Sequence, residues 1–265
     1  MIGAAVSGKR GHTSPVGDTL TIDCGGGGLK AAVVDDSDAL AGGPIRIATP
    51  YPFPPERFIR TMLDIERQLP PAERVTVGLP GMIRHGRVVA TPHYVNRAGP
   101  YTPVDPELYA AWTGYDARAA LSHAFGRPVL VLNDAEVHGA ALVVGTGLEL
   151  VITLGTGLGN ALFDDGVLAP HLELSHGPIR RRRTYDTYIG EIQRRELGNA
   201  HWSRRVRRVV DGLRPVFRWD RLYIGGGNAA LIDAESVARL GDDVTIAAGT
   251  AGVLGGARAW KMIGG

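Results

Sequence analysis

Short apolar runs alternate with longer amphipathic stretches along most of the chain. The runs, rich in Val, Ile and Leu and bounded by glycine or proline, are typical of strands, whereas apolar residues three and four positions apart are typical of helices. The pattern predicts strands over residues 19–23, 29–34, 45–48, 75–78, 129–132, 150–154, 161–163, 222–224 and 244–246. It predicts helices over residues 56–69, 116–125, 135–144, 184–198, 201–214 and 251–262. Because strand and helix alternate, we expect an α/β fold with a largely parallel sheet.

A unit of strand, glycine-rich turn and strand occurs twice, near residues 19–34 and 150–163. Such self-similarity favours two related halves that face each other. We therefore expect an N-terminal α/β domain over residues 19–146 and a C-terminal α/β domain over residues 147–250. Residues 91–106, rich in proline and tyrosine, are expected to form a loop.

Composition narrows the class of protein. The chain has 265 residues, of which 44% are hydrophobic and 21% charged, and this is too apolar for a disordered chain. Its one cysteine excludes a disulfide scaffold and suits a reducing compartment. No apolar run approaches the roughly 18 residues of a membrane span, and residues 1–18 lack the apolar stretch of a signal peptide. We expect a cytoplasmic protein with a disordered leader over residues 1–18 and no membrane partner.

The net charge of +2 conceals an uneven distribution. Residues 180–221 hold 13 arginines and 5 acidic residues, so this segment carries a local charge of +8 on an otherwise acidic chain. A polyanionic partner or substrate would explain the asymmetry, and so would two helices with solvated arginine faces. A nucleic acid is not the expected partner, because few aromatic residues lie among the arginines and no known nucleic-acid module is present.

Both glycine turns have the composition of a phosphate site. In Asp23-Cys-Gly-Gly-Gly-Gly-Leu-Lys30, the glycines allow backbone N–H groups to approach an anion closely. Asp23 could hold a hydrated Mg²⁺ there, and Lys30 could offset phosphate charge. The second turn, Thr153-Leu-Gly-Thr-Gly-Leu-Gly159, adds the hydroxyl of Thr156. A tight hairpin alone would also explain either turn, but two of them at equivalent positions could grip a phosphate chain from both sides of a cleft.

Two further motifs carry polar side chains suited to catalysis and sugar binding. Asn133-Asp134 follows an apolar strand, where ligands of α/β sheets bind, and a carboxylate there can take a proton from an attacking hydroxyl. Helix capping by Asp134 is the alternative. Glu173-Leu-Ser-His176 offers a carboxylate and an imidazole to vicinal hydroxyls. A metal site at this motif is undersupplied, because His171 alone joins the pair.

The order of these motifs, with Leu79-Pro80-Gly81 and Gly225-Gly226-Gly227, resembles the ROK family of sugar kinases over about residues 19–260. Within that family the chain looks most like the bacterial polyphosphate glucokinases. The resemblance implies the two-domain ribonuclease-H-like fold of the actin and hexokinase ATPases, with the substrate cleft between the domains. It also implies that the last helix, about residues 251–262, packs back on the first domain.

The resemblance further implies a role for each motif residue. Asp134 would be the general base of phosphoryl transfer, and Asp23 would hold Mg²⁺ through water. The sugar, glucose or a similar hexose, would be bound by Asn133, Glu173, His176, Asp186 and Gly81. The phosphates of the donor, polyphosphate and/or ATP, would be bound by Asp23, Gly25, Gly26, Gly27, Lys30, Gly155, Thr156, Gly157 and Gly159. The rest of the donor would be bound by Gly225, Gly226, Gly227 and Asn228. No zinc site is expected, and homodimers are common in the family.

Three positions depart from the family pattern. Gly27 stands where most members have Thr, Asp186 where a sugar-contacting Glu is expected, and Ser175 where Gly is usual. The shorter Asp186 favours as an alternative an ATP-dependent kinase of another polyol: an amino sugar, a hexose epimer or a cyclitol. The missing hydroxyl at Gly27 favours as another alternative a non-catalytic sugar-binding regulator.

Overall fold

The computed structural model describes residues 17–247 and 251–263, so residues 1–16 of the predicted leader lie outside the described residues. In chain order the strands are β1 (Thr19–Cys24), β2 (Leu29–Val34), β3 (Ile45–Ile47), β4 (Arg74–Leu79), β5 (Met82–Arg84), β6 (Arg87–Ala90), β7 (Val129–Asn133), β8 (Leu148–Leu154), β9 (Leu158–Asp164), β10 (Val167–Leu168), β11 (Pro178–Arg180), β12 (Arg183–Thr184), β13 (Arg221–Gly225) and β14 (Val244–Ile246). The helices are α1 (Pro55–Glu66), α2 (Pro106–Trp112), α3 (Ala117–Phe125), α4 (Asp134–Ala140), α5 (Tyr185–Ile189), α6 (Glu191–Phe217), α7 (Ala234–Ala238) and α8 (Ala251–Met262), and short 3-10 helices span Leu174–His176 and Ala229–Leu231.

Two five-stranded sheets repeat one topology. The first has the order β3-β2-β1-β4-β7 and the second the order β10-β9-β8-β13-β14. In each, a glycine-turn hairpin supplies an antiparallel pair, and the strands that follow through helices add in parallel. The expectation of an α/β fold built from a repeated strand–turn–strand unit is confirmed, although each sheet is mixed rather than largely parallel.

Local sequence signals explain the ends of the helices that lead to the site. Asn133, the last residue of β7, caps α4: its side-chain oxygen accepts the N–H of Ala135, and the Glu136 carboxylate accepts the N–H of Asn133 in return. The alternative that Asp134 is the cap is therefore wrong, because Asp134 is the first residue inside the helix. Helix α3 begins after the cap Asp116 and ends at Gly126 in the left-handed conformation.

Helices α4 and α8 lie between the sheets and join their cores. Val137 and Ala140 of α4 belong to one apolar cluster with Leu132 of the first sheet and Val151 and Phe163 of the second. Burial of these side chains against both sheets holds the two halves together through apolar contact.

Helix α8 packs on the first sheet. Thr76 of β4 donates its hydroxyl to the carbonyl of Gly256 and accepts a hydrogen bond from the indole of Trp260. Arg258 pairs with Asp38 at 2.9 Å. In the described part of the chain, no helix combines the length and the apolar character that a membrane crossing needs.

The structure differs from the predicted elements in several regions. It adds strands β5, β6, β10, β11 and β12 and helix α7, and helices α1 and α4 end at Glu66 and Ala140 rather than at residues 69 and 144. Helix α2 follows the expected loop, since Pro106 at the first helical position and the cap Asp105 start a helix there. The predicted helices 184–198 and 201–214 are arranged otherwise: α5 ends at Gly190, and α6 runs on to Phe217 with a non-helical Gly198 inside it.

Candidate active site

A cavity of about 400 Å³ is lined by residues of both sheets, where the strands β1, β4, β7, β8 and β13 end. This is the edge at which α/β sheets bind ligands. The predicted site residues that line the cavity are Asp23, Gly25, Gly26, Lys30, Gly81, Asn133, Asp134, Gly155, Thr156, Gly157, Gly159, Glu173, His176, Asp186, Gly226 and Gly227. Gly27, Gly225 and Asn228 are not among the lining residues.

The first glycine turn places opposite charges at the cavity. Asp23 and Lys30 are register partners across the hairpin, and their side chains lie 3.9 Å apart. Burial raises the pKa of Asp23, and Lys30 and Arg46 oppose the rise. The turn is also held by a residue outside the hairpin, since Tyr51 donates its hydroxyl to the carbonyl of Gly26.

Gly27 lies at the exposed tip of this turn, and an added Cβ there would meet no atom within 4 Å. A threonine hydroxyl at this position would therefore lie on the surface of the turn and not in the lining of the cavity.

Asp134 is a buried carboxylate with a strongly raised pKa. Burial and the nearby Asp23 raise its pKa to about 7, and Glu173 adds to the rise, while the N–H of Ala135 and His171 act against it. A carboxylate with a pKa near neutrality is both ionised in part and basic enough to accept a proton from a hydroxyl.

Asn133 holds the strand end beside Asp134 in place. Its amide donates to the carbonyl of Gly81 at 2.7 Å, so the side chain joins β7 to the turn that follows β4. Gly81 has a φ of +100°, and a Cβ there would clash with the backbone of Ala90 and Thr91. Only glycine fits this turn without strain.

The second glycine turn is neutral and is fixed by its neighbours. Asp186 accepts the N–H of Leu158 at 2.7 Å. The carbonyl of Thr156 accepts hydrogen bonds from the backbone of Glu191 and from the hydroxyl of Tyr101, at 3.1 and 3.2 Å. Because Tyr101 belongs to the first half of the chain, its hydroxyl links the two sides of the cavity.

The glycines after β13 complete this wall. Gly226 has a φ of +87°, and a Cβ there would meet the backbone of Leu154. Asn228 supports the turn from behind, since its amide donates to the carbonyl of Gly155 at 3.2 Å and to Glu191 at 2.8 Å. Gly225 is covered by the ring of His138.

Glu173 lies at the opposite wall of the cavity, in a network of polar groups. Ser175 donates its hydroxyl to Glu173 at 2.6 Å, and His171 lies 3.7 Å from the other carboxylate oxygen. Burial opposes the charge, but His171 and Ser175 lower the pKa of Glu173, so the carboxylate is ionised at neutral pH. His176 lines the same wall. The departure at Ser175 is thereby explained, because its hydroxyl orients Glu173.

Three histidines at or near the cavity are not among the predicted site residues. His93 packs on Gly26, and burial lowers its pKa to about 4. His138 lies one turn after Asp134 on α4, where burial, with Lys30, lowers its pKa to about 4. His171 lies between Glu136 and Glu173. His138 lies four residues after Asp134, and His171 lies two residues before Glu173. These spacings are the one hint in the sequence, and they are common by chance.

The arginine-rich segment lies outside the cavity: no arginine is among the lining residues in the described part of the chain. Arg205 covers the ring of Tyr188 with its guanidinium 4.7 Å from the ring centre, and Arg208 donates to the hydroxyl of the same tyrosine. Arg194 and Arg195 pair with Glu191, next to the second glycine turn.

The carboxylates of the cavity fit a hydrated Mg²⁺. Asp23 and Asp134 both line it, and the charge of Asp23 raises the pKa of Asp134, as expected for carboxylates that share a space. Mg²⁺ keeps several waters and uses one or two carboxylates together with substrate phosphates. In the residues that the structure describes, no group of three or more His, Cys, Asp or Glu side chains could hold a metal ion directly.

Comparison with known proteins gives one consistent result. No family model matches the chain. It is 28% identical over 215 residues to a protein of Mycobacterium tuberculosis named polyphosphate glucokinase, which covers 78% of this chain and 76% of the relative. The polyphosphate glucokinase of Mycobacterium leprae is 26% identical over 234 residues, or 82% and 68% of the two chains.

Solved structures agree in fold. The inorganic polyphosphate/ATP-glucomannokinase of an Arthrobacter species is 29% identical, covers 92% of this chain and 98% of its own, and superposes with a TM-score of 0.75. A ROK family glucokinase of Streptomyces griseus, in complex with glucose and AMPPNP, is 16% identical with a TM-score of 0.67 and covers 91% and 98% of the two chains. The second likeness establishes the fold of the ROK kinases, which is actin- and hexokinase-like.

Proposed function

We propose that this chain, which belongs to the ROK family of sugar kinases, transfers a phosphoryl group from polyphosphate and/or ATP to a hydroxyl of glucose or a similar hexose. The observation that carries the proposal is Asp134, a carboxylate with a pKa of about 7 directly after β7, which lines one cavity together with both glycine turns, Glu173 and His176. A base with this pKa, set between a phosphate site and a sugar site, suits phosphoryl transfer to a hydroxyl.

In the proposed reaction, the carboxylate of Asp134 takes the hydroxyl proton as the hydroxyl oxygen attacks the terminal phosphorus of the donor. A new sugar O–P bond forms, and the P–O bond to the next phosphate breaks. The shortened polyphosphate or ADP leaves with the electron pair of that bond. Asp134 returns its proton to solvent when the products leave.

The remaining residues of the cavity position the two substrates. The N–H groups of the two glycine turns face the donor phosphates, and Lys30 balances part of their charge. Asp23 would hold Mg²⁺ through water, and the ion would neutralise charge on the donor phosphates when bound. Asn133, Glu173 and His176 would bind the sugar hydroxyls.

Asp186 joins the two subsites in this proposal. Its carboxylate already accepts the N–H of Leu158, so one oxygen fixes the second glycine turn. The other oxygen is left to bind a substrate hydroxyl. It would contribute less to substrate binding than the longer side chain of a Glu could. This observation favours a second candidate, an ATP-dependent kinase of another polyol, which differs from the first in acceptor and donor but not in mechanism.

For the donor, the names of the similar proteins support polyphosphate, with ATP as a second donor. Arg195 is three-quarters exposed at the rim near the second turn, where a chain of phosphates longer than that of ATP would pass. We propose that Arg195 contacts this outer part of a polyphosphate chain. The remaining arginines of the segment, held on Tyr188 or exposed elsewhere, have no assigned part in the reaction.

A matrix of donors and acceptors tests the proposal. Polyphosphate and ATP would each be offered with glucose, mannose, an N-acetylated hexosamine and a cyclitol, and phosphate esters would be measured directly. We expect glucose or mannose to be phosphorylated with polyphosphate. Phosphorylation of the cyclitol or amino sugar with ATP alone would establish the second candidate. Binding of sugar without phosphorylation from either donor would establish the regulator and overturn both kinase proposals.

A further inference from the structure

His171 lies outside the motifs that predict the site, yet it occupies a buried position between two carboxylates. Its side chain is 3% exposed. One ring nitrogen lies 3.3 Å from Glu136 and the other 3.7 Å from Glu173. Both contacts are ion pairs, and neither nitrogen has a hydrogen-bond partner in the described part of the chain.

The two carboxylates come from different halves of the chain, and only Glu173 lines the cavity. Glu136 is in the first turn of α4, where its second oxygen accepts the N–H of Asn133 at 2.8 Å. Glu173 lines the cavity at the wall proposed to bind sugar. A continuous path of contacts therefore runs from the Asn133 backbone through Glu136 and His171 to Glu173.

Because the side chains of this path are buried, their charges decide whether the arrangement is stable. Two carboxylates that lose water are stable when a cation lies between them, and costly when they face each other alone. Burial opposes a charge on His171, but Glu136 and Glu173 raise its pKa to about 9. The imidazolium thus stays between the carboxylates at neutral pH.

We infer that His171 is a positioning residue, whose imidazolium fixes Glu173 toward the sugar and ties that wall to the helix turn that carries Asp134. The inference rests on the proposed function, because Glu173 and Asp134 are the groups through which His171 would act. The positive charge of His171 also favours the ionised form of Asp134, against Asp23 and Glu173, which oppose it. His171 would therefore influence both the affinity for sugar and the pH at which the base becomes active.

The first test is His171→Gln, which keeps a polar side chain of similar reach and removes the charge. We expect the KM for sugar to rise about tenfold while kcat changes less, because Glu173 loses its orientation. In the plot of kcat/KM against pH, the low-pH side (the acidic limb) should move to higher pH by about half a unit, because loss of a nearby cation raises the pKa of Asp134. The matched control is His201→Gln, on the exposed face of α6, which should change neither value.

A second measurement does not require activity or a substituted protein. Nuclear magnetic resonance of ¹⁵N-histidine in the parent protein should show one imidazole that remains protonated above pH 8. Glu136→Gln, which keeps an acceptor for the Asn133 N–H, should lower the pKa of that histidine. Calorimetry of sugar binding should show weaker binding in His171→Gln than in His201→Gln.

The outcomes separate this inference from the function. Failure of phosphorylation with every sugar and donor would overturn the proposed function, while the protonation and sugar-binding measurements would still decide the role of His171. The inference is overturned if every histidine loses its proton below pH 7, or if His171→Gln matches His201→Gln in sugar binding and in the acidic limb.

Discussion

The two glycine turns share one backbone frame and differ in charge. The residue pair next to the last one before each turn allows a direct comparison. In the first hairpin this pair is Asp23 and Lys30, and in the second hairpin it is Thr153 and Gly159. Both hairpins occupy the same place in sheets of the same strand order. The equivalent positions therefore carry an ion pair in one half and neutral groups in the other.

This difference divides the proposed chemistry between the halves. The first half holds Asp23 and Asp134, whose charges act on each other, and so supplies the base and the carboxylate suited to Mg²⁺. The second half supplies backbone N–H groups and the wall that carries Glu173. A repeated fold can thus provide two loops for one phosphate chain while only one of the two hairpins carries an ion pair.

The largest effect is expected at the base. Asp134→Asn keeps the size of the side chain and removes its basicity, so kcat should fall by about 10²–10⁴-fold. The dissociation constant of glucose, measured by calorimetry, should change little because Asn133 and Glu173 remain. Asp64→Asn, exposed on α1, is the matched control and should keep full activity. Unchanged turnover in Asp134→Asn would remove the assignment of the base.

The comparison of the turns predicts unequal effects at equivalent positions. Asp23→Asn should lower kcat about 10²-fold, since charge near the donor phosphates is worth several kcal/mol in such sites. Thr153→Val, its counterpart in the second turn, should cost about threefold or less. Equal losses in steady-state kcat would show that charge does not distinguish the two turns.

Asp23→Asn also has an expected effect on pH dependence. In the parent, Asp23 raises the pKa of Asp134, so its neutralisation should lower that pKa. A base with a lower pKa is ionised in more acidic solution, and the acidic limb of kcat/KM should therefore move to lower pH. A limb that moves to higher pH in this variant would contradict the proposed coupling.

A smaller effect is expected at the rim. Arg195→Ala should raise the KM for a long polyphosphate about threefold at low salt and leave the KM for ATP unchanged, because ATP ends before the rim. Salt should reduce the difference, as it screens exposed charges. Arg239→Ala, at the exposed arginine that follows α7, is the control. Equal effects on both donors would place Arg195 outside the polyphosphate path.

The smallest effect is expected at the position that departs most visibly from the family pattern. Gly27 lies at the tip of the first turn, with open space beside it. Gly27→Thr should therefore change kcat and the KM for either donor by about twofold or less. A gain of tenfold in kcat would show that the family hydroxyl reaches the phosphates after all.

Much of the site could be predicted because its motifs are local. A strand end, a glycine turn and the next strand form within a dozen residues, so the sequence places Asp23 opposite Lys30 without reference to the rest of the fold. The same holds for Asn133 and Asp134, since an apolar strand followed by a cap is a local pattern.

The roles of the site histidines could not be predicted because each of them depends on at least one partner that is distant in sequence. His171 meets Glu136 only after the sheets have assembled, and no spacing connects the two residues. His138 has the pattern of an ordinary helix residue, and its contact with Gly225 depends on how α4 lies against β13.

The position of the arginine-rich segment could not be read from its place in the sequence. Its arginines follow His176 closely along the chain, but none of them lines the cavity in the described residues. Helix α6 turns Trp202, Val206 and Val210 toward the core of the second sheet, and its arginines face solvent or pair outside the cavity, as Arg205 does with Tyr188 and Arg214 with Asp243. Which way a helix faces is set by its apolar side, and closeness along the chain to a motif does not change it.

The central claim is that an ionised Asp134 takes the proton of the sugar hydroxyl. It is tested most directly by kcat/KM for the preferred sugar from pH 5 to 9, in the parent and in Asp134→Asn. With a base whose pKa is about 7 in the free enzyme, the parent should lose activity by about tenfold per pH unit below that value. The residual activity of Asp134→Asn should lack this limb. The same limb in both proteins, with similar rates, would show that another group is the base.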